Sequence, residues 1–190
     1  IAGLADNNIV PEGYSGATAL GVAAENGMAG IYDKFTWMDA FLGNIPGSIG
    51  ETSIIAIGIG LIILLATKVA SWRIVLWTFI GMIAMSSLLN IVGSDTNPMF
   101  EVPWYWHAVI GSFAFGLVFM ATEPVSGSGT NTGRCIYGFI IGITVILIRV
   151  INPAFPEGMM LAILFANLLA PVIDHMVMMS NINRRKALAQ

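Results

Sequence analysis

The sequence contains few charged residues and almost no cysteine. Only 10% of its 190 residues are charged, whereas soluble domains carry about 25%. Its 8 basic and 11 acidic residues leave a net charge of −3, which excludes the basic surface that nucleic-acid binding requires. The single cysteine, Cys135, excludes an internal disulfide and a multi-cysteine cluster within this chain. The mean hydropathy of +0.81 instead indicates a polytopic membrane protein.

The first residues carry no recognisable targeting signal. The chain begins at Ile1 rather than Met, and Asp6, Asn7 and Asn8 follow without the basic region that opens a signal peptide. We therefore expect part of the protein to precede Ile1.

Five long apolar runs dominate the chain from residue 53 onward. Each is close to the ~20 residues that a helix needs to cross the hydrocarbon core, and each is apolar on all sides rather than amphipathic. The predicted spans are 53–72, 74–93, 104–122, 135–151 and 158–179. The sequence thus predicts an all-α, polytopic membrane protein with about five transmembrane helices in residues 53–190. An external, Gly-rich segment in residues 1–52 precedes them.

The basic residues predict the orientation, because cytoplasmic loops are enriched in Lys and Arg. If all five runs span, the basic positions near the connections fall on one side: Lys68, Arg73, Arg134, Arg184, Arg185 and Lys186. The connections on the other side hold only acidic charges: Asp95, Glu101 and Glu157. We therefore expect a cytoplasmic C-terminus and an external N-terminal segment. Arg149 lies within the fourth run, where we expect it to snorkel toward the external surface.

Ser15-Gly16-Ala17-Thr18 is a run of small residues that ends in a hydroxyl group. An enzyme that modifies this hydroxyl must reach it, and the small neighbours do not shield the oxygen. Gly16 also allows backbone torsions that other residues avoid. The acidic Glu12 lies six positions before Thr18. The structural alternative is a turn that caps a short helix over residues 19–24.

Four stretches carry a wider resemblance, which runs from Glu12 to about Lys186. They are residues 15–18, the Gly-rich loop 43–52, residues 121–134 with Thr122-Glu123-Pro124, and residues 152–174 with Ala170-Pro171-Val172-Ile173-Asp174. Together they resemble one family of membrane subunits, which comprises the B subunits of sodium-pumping NADH:quinone oxidoreductases and the D subunits of Rnf complexes. Thr18-Ala19-Leu20 fits the first group better, and an Rnf subunit is the alternative.

The resemblance implies a function and a set of site residues. It implies that a dedicated transferase joins FMN through its phosphate to the Thr18 hydroxyl, within the motif formed by Glu12, Ser15, Gly16 and Ala17. Thr18 would be an attachment point and not a catalytic residue. Electrons would arrive from NADH through other subunits and leave to ubiquinone, coupled to sodium export across the bacterial inner membrane, with Thr18 on the periplasmic side. Family subunits also bind a noncovalent riboflavin and have ten membrane helices in two related halves, of which this chain would be the second.

Asp174 is a candidate for the sodium path. It lies in an otherwise apolar helix, where an ionisable group is a functional candidate by default. Asn167, Pro171 and Asp174 are spaced so that they share one helix face. The alternative is that Asp174 pairs with His175 or Arg184 at the membrane interface.

Other features also have two interpretations. Glu123 precedes several hydroxyl and amide side chains whose oxygens suit a hard cation such as sodium, but a solvated loop has the same composition. The loop 43–52 is interpreted either as a backbone N–H site for an anion or flavin or as a re-entrant turn. The aromatic residues and histidine at 104–107 suit a membrane-interface belt or stacking on a quinone or flavin. Gly138 and Gly142 predict close helix packing.

Two other classes of function remain open at the level of sequence. A pure transporter or channel would suit the Gly-rich breaks and the paired halves, and a non-redox scaffold subunit would need no cofactor. Bound flavin in the purified protein would distinguish the redox subunit from both.

Overall fold

The computed structural model describes residues 18–48, 50–94, 97–152 and 157–188, and within them every regular element is helical. This confirms the all-α fold class. The α-helices are α1 (Ala19–Lys34), α2 (Trp37–Leu42), α3 (Ile54–Ala66), α4 (Trp72–Val92), α5 (Trp104–Val109), α6 (Phe113–Phe115), α7 (Asn131–Ile151) and α8 (Met159–Leu188). A 3₁₀ turn at Pro98–Glu101 precedes α5, and one π-helical turn, Gly116–Met120, continues α6.

Three of these helices, α4, α7 and α8, are long and apolar enough to cross a membrane. The run predicted at 53–72 instead forms α3, whose 13 residues rise only about 20 Å. At the C-terminus of α3, the Thr67 hydroxyl donates to the carbonyls of Ile63 and Leu64, at 2.9 and 3.2 Å. Lys68 then adopts a positive φ of 60°, which turns the chain toward α4.

The prediction of one continuous helix at 104–122 was wrong. α5 stops at Val109, Ile110 is extended, and Gly111 has a φ of 68° before α6 begins. A Cβ atom on Gly111 would lie 2.5 Å from the Glu157 carboxylate, so this backbone position requires glycine. The apolar composition of the run concealed the break, because every residue around it is compatible with a membrane helix.

The centre of the fold is the pair formed by α4 and α7, which run parallel to each other. Gly138 and Gly142 of α7 lie directly on the α4 backbone: a Cβ on Gly142 would collide with the Thr78 carbonyl and would lie 2.6 Å from the Met82 nitrogen. Gly81 of α4 makes the reciprocal approach to α7. The predicted close packing is confirmed, and it buries Thr78, Met82 and Ile141 completely.

α8 runs antiparallel to α7 and packs against its other side. The Tyr137 hydroxyl donates to Asn167 Oδ1 at 2.5 Å, and small residues such as Ala162 and Ala166 are fully buried along the contact. Asn167 and Asp174 bind α7 and the loop before it, so they share one helix face, as their spacing predicted.

The polar loops gather at two opposite ends of the bundle. Thr18, Glu51 and Glu157 line one cavity, and we call this side the Thr18 end. Lys68 and Arg134 line another cavity, beside the loop that binds Asp174, and we call this side the Asp174 end. The separation agrees with the two groups of loops that the charge pattern predicted.

We predict that Gly142→Leu destabilises the protein by about 1–3 kcal/mol, because the new side chain must displace the α4 backbone. The measurement is the thermal unfolding midpoint in detergent, which should fall by several degrees. Gly58→Leu is the matched control: Gly58 lies in α3, and no atom lies within 4 Å of a Cβ built there. Equal midpoints for the two variants would contradict the close α4–α7 contact.

Candidate functional site

Thr18 is the N-cap of α1. Its backbone is extended, and its Oγ1 accepts a hydrogen bond from the Gly21 N–H at 3.1 Å. The helix cap that the sequence offered as the structural alternative is thus present, and the first helical segment runs past residue 24 to a kink at Gly27, where φ is 63°. Glu12, Ser15, Gly16 and Ala17 lie outside the described residues.

Thr18 lies in a cleft formed by three separate parts of the chain. The cleft is lined by Thr18 and the start of α1, by the loop residues Ile45, Pro46, Gly47, Glu51 and Thr52, and by Val109, Gly111 and Glu157. Within the described part of the loop, Glu51 Oε1 accepts from the Ser48 N–H at 2.9 Å. The fold therefore brings Thr18 to the Gly-rich loop, which the sequence could not show.

Arg149 holds together the helix break that forms one wall of this cleft. Its side chain is fully buried, so the prediction that it snorkels was wrong. Nη1 and Nη2 donate to the carbonyls of His107 and Ile110 at 2.9 and 3.2 Å, and Nε donates to the Glu157 carbonyl at 3.1 Å. The end of α5 leaves carbonyls without helical partners, and they attract the guanidinium inward.

Glu157 completes the break from the opposite side. Its Oε2 accepts from both the backbone N–H and the hydroxyl of Ser112, at 2.7 and 2.9 Å. A cation thus meets the C-terminal end of α5, and an anion meets the start of α6, which are the favoured arrangements at helix termini. Sequence reasoning missed Ser112 and the structural role of Arg149. The signal that could have revealed them was an arginine inside an apolar run together with Gly111-Ser112.

Asp174 lies at the other end of the bundle and binds the loop that leads into α7. Its Oδ1 accepts from the hydroxyls of Ser128 and Thr130, each at 2.6 Å, and from the Thr130 N–H at 3.1 Å. Its Oδ2 accepts from the Gly129 N–H at 2.8 Å. Thr130 is the N-cap of α7. The partners of Asp174 in the described structure are therefore in this loop rather than at His175 or Arg184.

Glu123 lies near the same end and closes its own turn. Oε1 accepts from the Val125 N–H, and Oε2 accepts from the N–H and hydroxyl of Ser126, at 2.6–2.9 Å. These hydrogen bonds, chiefly those from Ser126, stabilise the carboxylate and lower its pKa below the ordinary value. Glu123 also lines a polar cavity with Lys68, Arg134 and other residues. Among the described residues, no group of three or more His, Cys, Asp or Glu side chains could hold a metal ion.

The residues at 104–107 divide into two pairs. Trp104 and Tyr105 are 41% and 37% exposed, as an interface belt requires, whereas Trp106 and His107 are buried in the core. Only the first pair therefore presents its rings at the surface.

Comparison with known proteins identifies the family. A model of the NQR2, RnfD, RnfE family matches residues 4–183. Over 177 residues, the chain is 62% identical to the B subunits of the Na(+)-translocating NADH-quinone reductases of Ectopseudomonas mendocina and Azotobacter vinelandii. It is 59% identical to the protein of the same name from Chromohalobacter salexigens. Each alignment covers 93% of this chain but only 43–44% of the relative's length. The chain belongs to the NQR2, RnfD, RnfE family.

Proposed function

We propose that this chain is part of a membrane redox subunit that carries FMN covalently on Thr18. The complete subunit would pass electrons from NADH, received through other subunits, toward ubiquinone and couple this transfer to sodium export. The observation that carries the proposal is the position of Thr18, a half-buried residue that lines a small cavity beside the Gly-rich loop. Relatives 59–62% identical, which are named as B subunits of the Na(+)-translocating enzyme, support it.

The N-cap position suits a phosphoester. The first N–H groups of a helix have no intrahelical acceptor, and the helix dipole favours negative charge at that end. α1 has no acidic residue in its first turn, so a phosphate on the Thr18 oxygen would be the anion that these groups bind. The N–H of Gly21, which donates to Oγ1, lies next to this position.

The flavin supplies the redox chemistry when it is attached, and the protein supplies position and electrostatics. Two of the residues that line the cleft with Thr18, Pro46 and Gly47, have short side chains or none. Glu51 holds its loop through the Ser48 N–H, and Arg149 holds the opposite wall through the His107 and Ile110 carbonyls. Glu12, Ser15, Gly16 and Ala17 would be the residues that an FMN transferase recognises. Riboflavin and ubiquinone are expected in the complete subunit, without an assignment to residues here.

Asp174 and Glu123 are the proposed residues of a sodium path at the opposite end. Asp174 brings a carboxylate together with the hydroxyl oxygens of Ser128 and Thr130, and hard cations take such oxygen ligands. Ser128 and Glu123 also line the polar cavity at this end. We propose that this end faces the cytoplasm of a bacterial inner membrane, because the basic residues lie there, and that Thr18 lies on the periplasmic side.

A second candidate function is a transporter or channel subunit without a redox role. The observation that favours it is the discontinuous helix at residues 110–112, since transporters build substrate sites from interrupted helices. The absorbance spectrum of the purified protein discriminates between the two functions, because only the redox subunit would contain flavin.

We predict that Thr18→Ala yields a folded, membrane-inserted subunit whose denatured gel band lacks flavin fluorescence, because the acceptor oxygen is gone. Quinone reduction should fall sharply, whereas NADH oxidation with artificial acceptors should continue. Loss of the helix cap should cost about 1 kcal/mol of stability. Thr18→Ser keeps the hydroxyl and should retain part of the label.

Thr52→Ala is the matched control, because it removes another threonine hydroxyl from the same cleft. It should leave the covalent fluorescence unchanged. Covalent flavin that persists in the Thr18→Ala subunit would show that the attachment point lies elsewhere.

We predict that Asp174→Asn raises the sodium concentration required for half-maximal turnover while leaving flavin content intact. The carboxylate charge would be lost, and the amide NH2 group would replace one of the two acceptor oxygens that bind the N–H groups of Gly129 and Thr130. Glu123→Gln is the matched comparison at the same end. Unchanged sodium kinetics in Asp174→Asn, together with a lower unfolding temperature, would assign Asp174 to capping α7 alone.

We predict that a reporter fused after Gln190 is active only in the cytoplasm, because the basic residues that follow the apolar part of α8 should remain inside. The measurement compares a reporter that functions only in the cytoplasm with one that functions only in the periplasm. Periplasmic activity would reverse the orientation and move Thr18 to the other face.

A further inference from the structure

The outer face of the α4–α7 pair contains a groove at the Asp174 end. It has a volume of about 520 Å³ and is lined by Arg73 and Trp77 of α4 and by residues from the first three turns of α7: Asn131, Thr132, Cys135, Ile136 and Phe139. Trp77 and Ile136 are 37% and 42% exposed. The groove therefore opens outward, away from the contact with α8.

The lining of the groove changes from polar to apolar along the helix axes. Arg73 lines the groove together with Asn131 and Thr132, the first residues of α7. Gly138 lies against Ile74 and Thr78, so the Arg73 backbone is about one turn further along the pair than Asn131. Phe139 is eight residues beyond Asn131, or about 12 Å along the helix. Its ring meets the Trp77 ring edge to face, with 6.2 Å between the centroids. The groove thus has a polar head and an apolar floor, in the order in which a lipid monolayer has them.

The positive charge at the polar end of the groove favours binding of an anion. Arg73 is the only charged residue that lines the groove in the described part of the chain, and its guanidinium stacks 5.0 Å from the centroid of the Trp72 ring. The dipoles of α4 and α7 add positive potential at their adjoining first turns. A guanidinium binds a phosphate group through a rigid set of N–H donors.

We propose that this groove binds one anionic phospholipid, with its phosphate on Arg73 and an acyl chain along Trp77, Ile136 and Phe139. A second, wholly apolar groove, lined by Trp37, Leu61, Phe79 and neighbouring residues, has no charged lining residue, and nothing there selects an occupant. The phospholipid site depends on α4 and α7 crossing a membrane, and it does not depend on flavin at Thr18.

The test is a lipid measurement on the complete membrane complex. The complex is purified in mild detergent, and retained phospholipids are counted per protein by native mass spectrometry. Arg73→Gln should lose one tightly bound anionic phospholipid, and its affinity for added phosphatidylglycerol should fall about tenfold. Lys68→Gln is the matched control, because it removes a basic side chain at the same end that lines the polar cavity instead. It should retain the lipid.

A second arm distinguishes a phospholipid from a free phosphate. Delipidated complex should gain thermal stability from phosphatidylglycerol but not from inorganic phosphate, and Trp77→Ala should weaken the effect because it removes part of the apolar floor. Equal lipid retention in Arg73→Gln and Lys68→Gln would overturn the proposal. Equal stabilisation by inorganic phosphate, with no effect of Trp77→Ala, would also overturn it, as would a crosslink from Cys135 to another polypeptide that covers the groove.

Discussion

The buried guanidinium of Arg149 is the interaction on which the Thr18 end of the molecule depends. A buried charge is costly unless it is hydrogen-bonded, and each of the three guanidinium nitrogens of Arg149 donates to a carbonyl, from His107, Ile110 or Glu157. Those carbonyls belong to the end of α5 and to the segment before α8, so one side chain of α7 ties three parts of the chain together. Glu157 adds the reciprocal contact to Ser112. The cleft beside Thr18 has Gly111 and Glu157 in its wall, and its shape therefore follows from the same cluster.

Asp174 binds the unpaired backbone groups at the other end of α7, at its N-terminus. Helix ends leave backbone N–H groups and carbonyls without intrahelical partners, and side chains from other segments bind them here. The Asp174 carboxylate accepts hydrogen bonds from the N–H groups of Gly129 and Thr130. Arg149 donates hydrogen bonds to carbonyls at the other end of α7, about 30 Å away along the helix. α7 is thus anchored by an ionised side chain at each end and locked against α4 by Gly138 and Gly142. The proposed flavin and sodium sites lie at the two ends of this rigid pair, and any coupling between them would be transmitted through packed helices of this kind.

The sequence by itself determined the helical, membrane-spanning class and the presence of a close helix contact at Gly138 and Gly142. Runs of apolar residues on all helix faces are stable only in lipid or in a buried core, so α4, α7 and α8 could be predicted from composition. The spacing of Gly138 and Gly142 predicted a close contact, because the absence of side chains is a local property. The cap at Thr18 was also predictable, since N-cap preference depends on the residue and its immediate neighbours. The loop charges predicted which connections share an end.

Tertiary structure alone decided where the helices break and which distant residues form the sites. The break at Gly111 lies in an apolar run, and its stability comes from Arg149 and Glu157, which are 38 and 46 residues further along the chain. Arg149 was expected at the surface because its local sequence contains no acceptor for it, whereas the fold supplies three carbonyls. In the same way, Thr18 meets the Gly-rich loop, and Asp174 meets the loop before α7, only after the helices have packed. Local patterns encode propensity and burial, but hydrogen bonds between distant segments depend on the register of the helices, which only the packed bundle specifies.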